Sequence, residues 1–192
     1  MSPISTAPVT TVVNNALADF SLYGDARATA GAIPWTYFES QFSGRVRALL
    51  NTAQAALPGM KARGSGRIVN IGSNLFNNPV VPYHDCTTAK AALLSLTRTL
   101  AVDLGPENIR VNMGSGVLLR TRDASAATSE EVFDYIAAAT PLCRVTTPAE
   151  LADAVLFFAS TWARLVTGQN LMVDGGLVMN WWSSFPRAAN CT

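Results

Sequence analysis

Gly66 to Ser73 reads GRIVNIGS, and its reading decides the fold. Ile68, Val69 and Ile71 are β-branched, sit close together rather than strictly alternating, and have Gly66 and Gly72 at either end. A short apolar run between turn residues describes a strand buried on both faces, as in a parallel sheet covered by helices. The stretch before it, Trp35 to Lys61, places Phe38, Phe42, Val46, Leu49, Leu50 and Ala53 at helical spacing. The stretch after it, Thr87 to Leu104, does the same with Ala89, Leu93, Leu96 and Leu100.

Further out, Val9 to Asn14 (VTTVVN) and Ile109 to Asn112 (IRVN) also read as short buried strands, and Gln169 to Gly176 (QNLMVDGG) reads as a last strand ending in a Gly-Gly turn. Pro148, Ala149 and Glu150 open a helix running to about Ser160, with Thr147 as N-cap and Glu150 as its capping-box partner. Four strands separated by helices give an α/β class with a parallel sheet. Ligands of such sheets lie at the carboxyl ends of the strands, which directs attention to Asn14-Asn15-Ala16, Ser73 and Gly114 to Thr121. Leu118 to Ser129, small and polar after a strand end, is expected to form a mobile flap beside that site.

The 192 residues carry 14 Lys+Arg against 13 Asp+Glu, a net charge of +1, which implies no nucleic acid or other polyelectrolyte partner. Charged residues are 14% of the chain against about 25% in average domains, and 49% are apolar, so disorder is excluded and one well-filled core is expected. The most apolar stretch, Leu151 to Ala159, is too short to span a membrane and contains Asp153. Met1 to Thr10 has neither the basic start nor the apolar core of a signal peptide. Cys86, Cys143 and Cys191 lack metal-site spacing, and their odd number suggests free thiols in a cytoplasmic protein with no metal site.

The segments VVNNA (Val12 to Ala16), ALPGM (Ala56 to Met60), GRIVNIGS (Gly66 to Ser73), TTAKAAL (Thr87 to Leu93), IRVN (Ile109 to Asn112) and TGQNLMVDGG (Thr167 to Gly176) occur in an order and spacing that resemble the short-chain dehydrogenase/reductase family, in particular its 3-oxoacyl carrier-protein reductase group. The resemblance runs from Val9 to about Val178. It implies a Rossmann-like doubly wound parallel sheet, an NADP or NAD cofactor, a small-molecule carbonyl or alcohol substrate, and a homo-oligomer paired through the helices Trp35 to Lys61 and Thr87 to Leu104. The family's Gly-rich G-x-x-x-G-x-G turn, which holds the cofactor pyrophosphate, does not occur in this sequence. The match starts at the family's fourth strand. The expectation is therefore the C-terminal part of that fold, a single partial domain over residues 1–192 with a tail at 179–192, binding NADH or NADPH weakly or not at all.

The family places a Ser thirteen residues before a Tyr, and a Lys four residues after it. Counted from Ser73, these positions hold Cys86 and Lys90. The resemblance implies that Ser73 holds the substrate carbonyl and that Lys90 binds the nicotinamide ribose, while Cys86 stands where the proton-donating phenol would be. It also implies cofactor contacts from Asn14, Asn15, Ala16, Lys90, Gly116 and Thr121. Three further positions depart from the family pattern: Arg45 replaces an Asn of the proton relay, Leu17 replaces a Gly, and Gly116-Val117 replaces Pro-Gly.

Each of these residues also has a plainer reading. Ser73 could be a strand-end hydroxyl satisfying backbone, and Cys86 a small apolar filler. If Cys86 lies near Lys90 and a helix start, its thiol pKa should be lowered on balance despite Asp85. Tyr83 and His84 are expected to precede the helix, too far from Lys90 to replace the missing acid. Asp174 is read as a turn acceptor, Arg45 as a solvated or interface cation, and Trp162, Trp181 and Trp182 as core or interface anchors. Two functions remain open: an impaired NAD(P)-dependent oxidoreductase acting on a carbonyl or secondary alcohol, and a non-enzymatic homologue acting as an interaction partner or subunit.

Overall fold

The computed structural model describes residues 9–15, 27–120, 125 and 128–179. Its sheet has four parallel strands in the order β1 (Thr11–Asn14), β2 (Gly66–Ser73), β3 (Ile109–Gly116) and β4 (Asn170–Val173). Parallel neighbours need crossovers, and these are helical. Between β1 and β2 run α1 (Trp35–Gln41), a π-helical turn (Phe42–Arg47) and α2 (Ala48–Arg63). α3 (His84–Leu104) connects β2 to β3, and α4 (Glu130–Ala139) with α5 (Pro148–Ala159) leads to β4. The α/β, Rossmann-like parallel sheet expected from the sequence is the fold.

The central strands are buried on both faces because each face has its own apolar layer. On one, Ile68, Ile109 and Val111 pack against Ala53, Ala56 and Met60 of α2 and Ala101 and Leu104 of α3. On the other, Val69 packs with Phe158 of α5 and Ala163. β3 continues to Gly116, beyond the expected Asn112, and its last four residues pair with Asn70 to Ser73 of β2 on one side and with β4 on the other.

Local signals are realised where capping sets them. α5 starts with Pro148 inside the first turn, and Thr147 and Glu150 form the reciprocal capping box. α2 ends at Gly64, in the left-handed region at φ 67°, whose N–H reaches Lys61 and Met60 carbonyls. Asp174 accepts from the N–H groups of Gly176 (3.0 Å) and Val178 (2.9 Å), the turn role read for it.

Other expectations need correction. The helix expected over Trp35 to Lys61 is interrupted by the π-helical turn. α3 starts at His84, so that residue belongs to the helix, and Tyr83 is its N-cap. α4 follows the predicted flap, of which residues 121–124, 126 and 127 lie outside the described part. Trp162 is 81% exposed and so is no core anchor, whereas Trp181 and Trp182 lie outside the described residues. Cys143 is disulfide-bonded, against the expectation of three free thiols, while Cys86 is free. Among the described residues, no helix is long and apolar enough to cross a membrane.

Candidate functional site

Three side chains gather where β2 ends and α3 begins. Ser73 closes β2, and its Oγ accepts the Leu75 N–H at 3.2 Å, capping the short turn Asn74–Phe76. That bond occupies a lone pair and leaves the hydroxyl proton free to be donated. Cys86 and Lys90 stand four residues apart on α3, hence on one face of the helix, and both are buried. The Lys90 ammonium crosses to the sheet and donates to the Ile71 carbonyl at 2.5 Å, two residues before Ser73.

The electrostatics of this cluster are set by burial. Burial, and secondarily the like charge of Arg45, pull the Lys90 pKa down to about 8, with Cys86 acting in the opposite direction. Burial also pushes the Cys86 thiol up; Arg45 and Lys90 lower it, Asp85 raises it, and the burial wins. The expected lowering is thus reversed, because an apolar surrounding penalises the thiolate more than two neighbouring cations favour it.

Of the two readings of Arg45, a solvated or an interface cation, the solvated one does not hold. The residue is 5% exposed, and its Nε donates to Gln41 Oε1 at 2.6 Å, one turn back along the same helical segment. Gln41 is buried too. The π-helical turn Phe42–Arg47 carries Arg45, and single π turns within α-helices are frequent at functional sites. The spacing of Gln41 and Arg45 was the available sequence signal for the pair.

One strand over, Asn14 is held from two sides. Its Nδ2 donates to Asn70 Oδ1 at 2.8 Å, and its Oδ1 accepts from Thr52 Oγ1 at 2.6 Å. Asn70, fully buried in β2, passes the chain on to Thr97 of α3, whose Oγ1 accepts at 2.8 Å and donates to the Leu93 carbonyl at 2.7 Å. The sequence reading missed this chain of polar groups. Its one available sign was an Asn in the middle of an apolar strand.

Of the remaining predicted residues, Asn15 is exposed and Gly116 is buried. A Cβ at Gly116 would meet Leu151 Cδ2 at 3.4 Å and Leu119 Cδ2 at 3.6 Å, so protein side chains cover that strand end. Ala16, Leu17 and Thr121 lie outside the described residues. Tyr83 lies under the Arg27 guanidinium, 5.3 Å from its ring centroid. Among the described residues, no group of three His, Cys, Asp or Glu could hold a metal ion.

Residues 9–178 match the family model described as enoyl-(acyl carrier protein) reductase. The chain is 36% identical over 182 residues to a 3alpha-hydroxysteroid dehydrogenase of Mediterraneibacter gnavus, an alignment covering 88% of this chain and 71% of that protein. It superimposes with a TM-score of 0.75 and 32% identity on a 3-oxoacyl-[acyl-carrier protein] reductase with bound NAD from Brucella melitensis, covering 88% of this chain and 62% of that one. A gluconate 5-dehydrogenase from Burkholderia cenocepacia in complex with NADP and tartrate gives a TM-score of 0.77 at 28% identity, covering 88% and 65%. The chain thus spans about two thirds of the length of these relatives.

Proposed function

The chain belongs to the short-chain dehydrogenase/reductase family of oxidoreductases, and from that premise we propose that it carries the substrate side of an NAD(P)-dependent site with impaired proton transfer. The reaction is reduction of a carbonyl of the 3-oxoacyl kind, or oxidation of the matching secondary alcohol. The observation that carries this reading is the hydrogen bond from Lys90, which shares a helix face with Cys86, to the Ile71 carbonyl of the strand that ends in Ser73.

The residues present fit one end of the dinucleotide. The buried Lys90 ammonium gives one proton to Ile71 and has two left, which suits a pair of ribose hydroxyls. The Gly-rich turn that holds the pyrophosphate in the family does not occur in these 192 residues. When bound, the cofactor supplies or accepts the hydride. Ser73 donates its hydroxyl proton to the substrate oxygen, and the positive charges of Arg45 and Lys90 favour negative charge developing there. Cys86 keeps its proton at neutral pH, but a thiol is a shorter arm than a phenol and delivers that proton poorly.

The same burial of Cys86 favours a second reading, in which the chain performs no catalysis and serves as an interaction partner or subunit. The two readings part in one experiment. The 192-residue chain and its Cys86→Tyr variant are titrated with NADH and NADPH by nicotinamide fluorescence, then assayed for NADPH oxidation with a β-ketoester. Binding weaker than about 1 μM and no turnover by either form are expected, with turnover appearing once the first three strands of an intact relative are fused to Cys86→Tyr. Absence of turnover in that fusion favours the non-enzymatic reading.

A further inference from the structure

At the opposite end of the strands, the amino ends of β2 and β3 and the turn Thr161–Ala163 after α5 enclose a cleft of about 130 Å³. Arg67, Arg110 and Arg164 line it together with Ser65, Asn108 and Thr161, and among the described residues no acidic side chain does. Arg67 and Arg110 are register partners on neighbouring parallel strands, so their side chains leave the same face of the sheet side by side. The ion pairs among the described residues are Lys61 with Glu107, Arg120 with Glu130 and Arg144 with Glu150, and none involves these three arginines.

Their hydrogen bonding is uneven. Three of the five N–H donors of Arg110 go to backbone: its Nη1 donates to the carbonyls of Ala163 and Phe158 (3.4 Å), and its Nη2 to that of Ser160 (3.2 Å). It fixes the end of α5 and leaves its charge in the cleft. Arg164 donates Nε to the Thr161 carbonyl at 3.1 Å, and its terminal nitrogens bond to nothing among the described residues. The Arg67 Nε is buried with no hydrogen-bond partner. A buried donor without an acceptor is costly, and the crowding of like charge is felt at Arg110, whose pKa burial and then Arg67 pull down.

We propose that this cleft binds a phosphate group, held by the terminal guanidinium nitrogens of Arg67 and Arg164 in the positive field to which Arg110 contributes. Guanidinium groups match the geometry of phosphate oxygens, and the bond is charge-assisted. The cleft has room for the phosphate group itself, which is carried either by inorganic phosphate or by a phosphomonoester.

Thermal unfolding of the 192-residue chain, in phosphate and in chloride at equal ionic strength, tests the proposal. Inorganic phosphate raises the midpoint with rising concentration and chloride does not, since a ligand of the folded state stabilises by mass action. Arg67→Gln and Arg164→Gln each weaken the phosphate effect by roughly ten-fold, while Arg98→Gln, an exposed position on α3, leaves it unchanged. Arg164 is exposed, so its variant folds and reads binding even if Arg67→Gln does not. Glycerol phosphate is the second probe: tighter binding than inorganic phosphate identifies a monoester, and equal or weaker binding the free ion. Identical midpoints in phosphate and chloride, or an Arg164→Gln variant that responds to phosphate as the parent does, overturns the proposal.

Discussion

The Lys90 ammonium donates to the Ile71 main-chain carbonyl at 2.5 Å, which bonds the second turn of α3 to the end of β2. A cation in this position holds two elements together and is desolvated by both. Its charge therefore costs stability at neutral pH and tunes the site.

The consequence is a pH dependence with a definite sign. Lys90 is held down to about 8, whereas an exposed lysine titrates near about 10.4. Between these values the unfolded chain binds more protons, so this group adds stability as pH rises, and below about pH 8 its unfavourable contribution is constant. The expected gain is about 3 kcal/mol, and Lys90→Met abolishes it. Denaturant melts across this window check it, with both proteins carrying Cys86→Ala because the raised thiol titrates with the opposite sign. Parallel stability curves for the two proteins would contradict the assignment.

Cys86 is expected to alkylate slowly. Burial raises its pKa, and the thiolate is the reactive form. Iodoacetamide labelling followed by mass spectrometry should give a rate midpoint above the about 8.5 of an ordinary thiol. Arg45 favours the thiolate, so Arg45→Met moves the midpoint higher still. Labelling at pH 7 as fast as that of a short cysteine peptide rules out the buried state.

The polar chain from Asn14 through Asn70 to Thr97 spans three elements. Thr97→Val removes the acceptor for a fully buried amide donor of Asn70. Stability should fall by about 1 to 3 kcal/mol at unchanged denaturant m-value. A loss under half of that range means that the amide finds another partner.

Self-association is the fourth expectation. Among the described strands β1 pairs on one side only, with Val9 and Val13 about half exposed. An unpaired strand edge recruits other chains. Light scattering at tens of micromolar should show the 192-residue chain larger than a monomer, and Val13→Lys should reduce its size; a clean monomer defeats the expectation.

What was legible in the sequence is local. The run Ile68, Val69, Ile71 marked a central strand, Thr147 and Glu150 marked the start of α5, and the VDGG turn marked the end of β4, because strand burial, capping and turn geometry each depend on a few neighbouring residues. The register of Ser73, Cys86 and Lys90 was legible for the same reason, since a strand end and one helix face carry all three.

Tertiary structure decided the environment of those residues. Arg45 looked like a surface cation until α1 and the π-helical turn buried it with Gln41. The sign of the Cys86 shift could not follow from its charged neighbours in sequence, because desolvation is imposed by every element packed around the thiol. Arg67 and Arg110 lie forty-three residues apart and meet only through strand register, with Arg164 added by the turn after α5. Composition and periodicity determine which elements form; the dielectric and the company of each charge are set only when those elements pack.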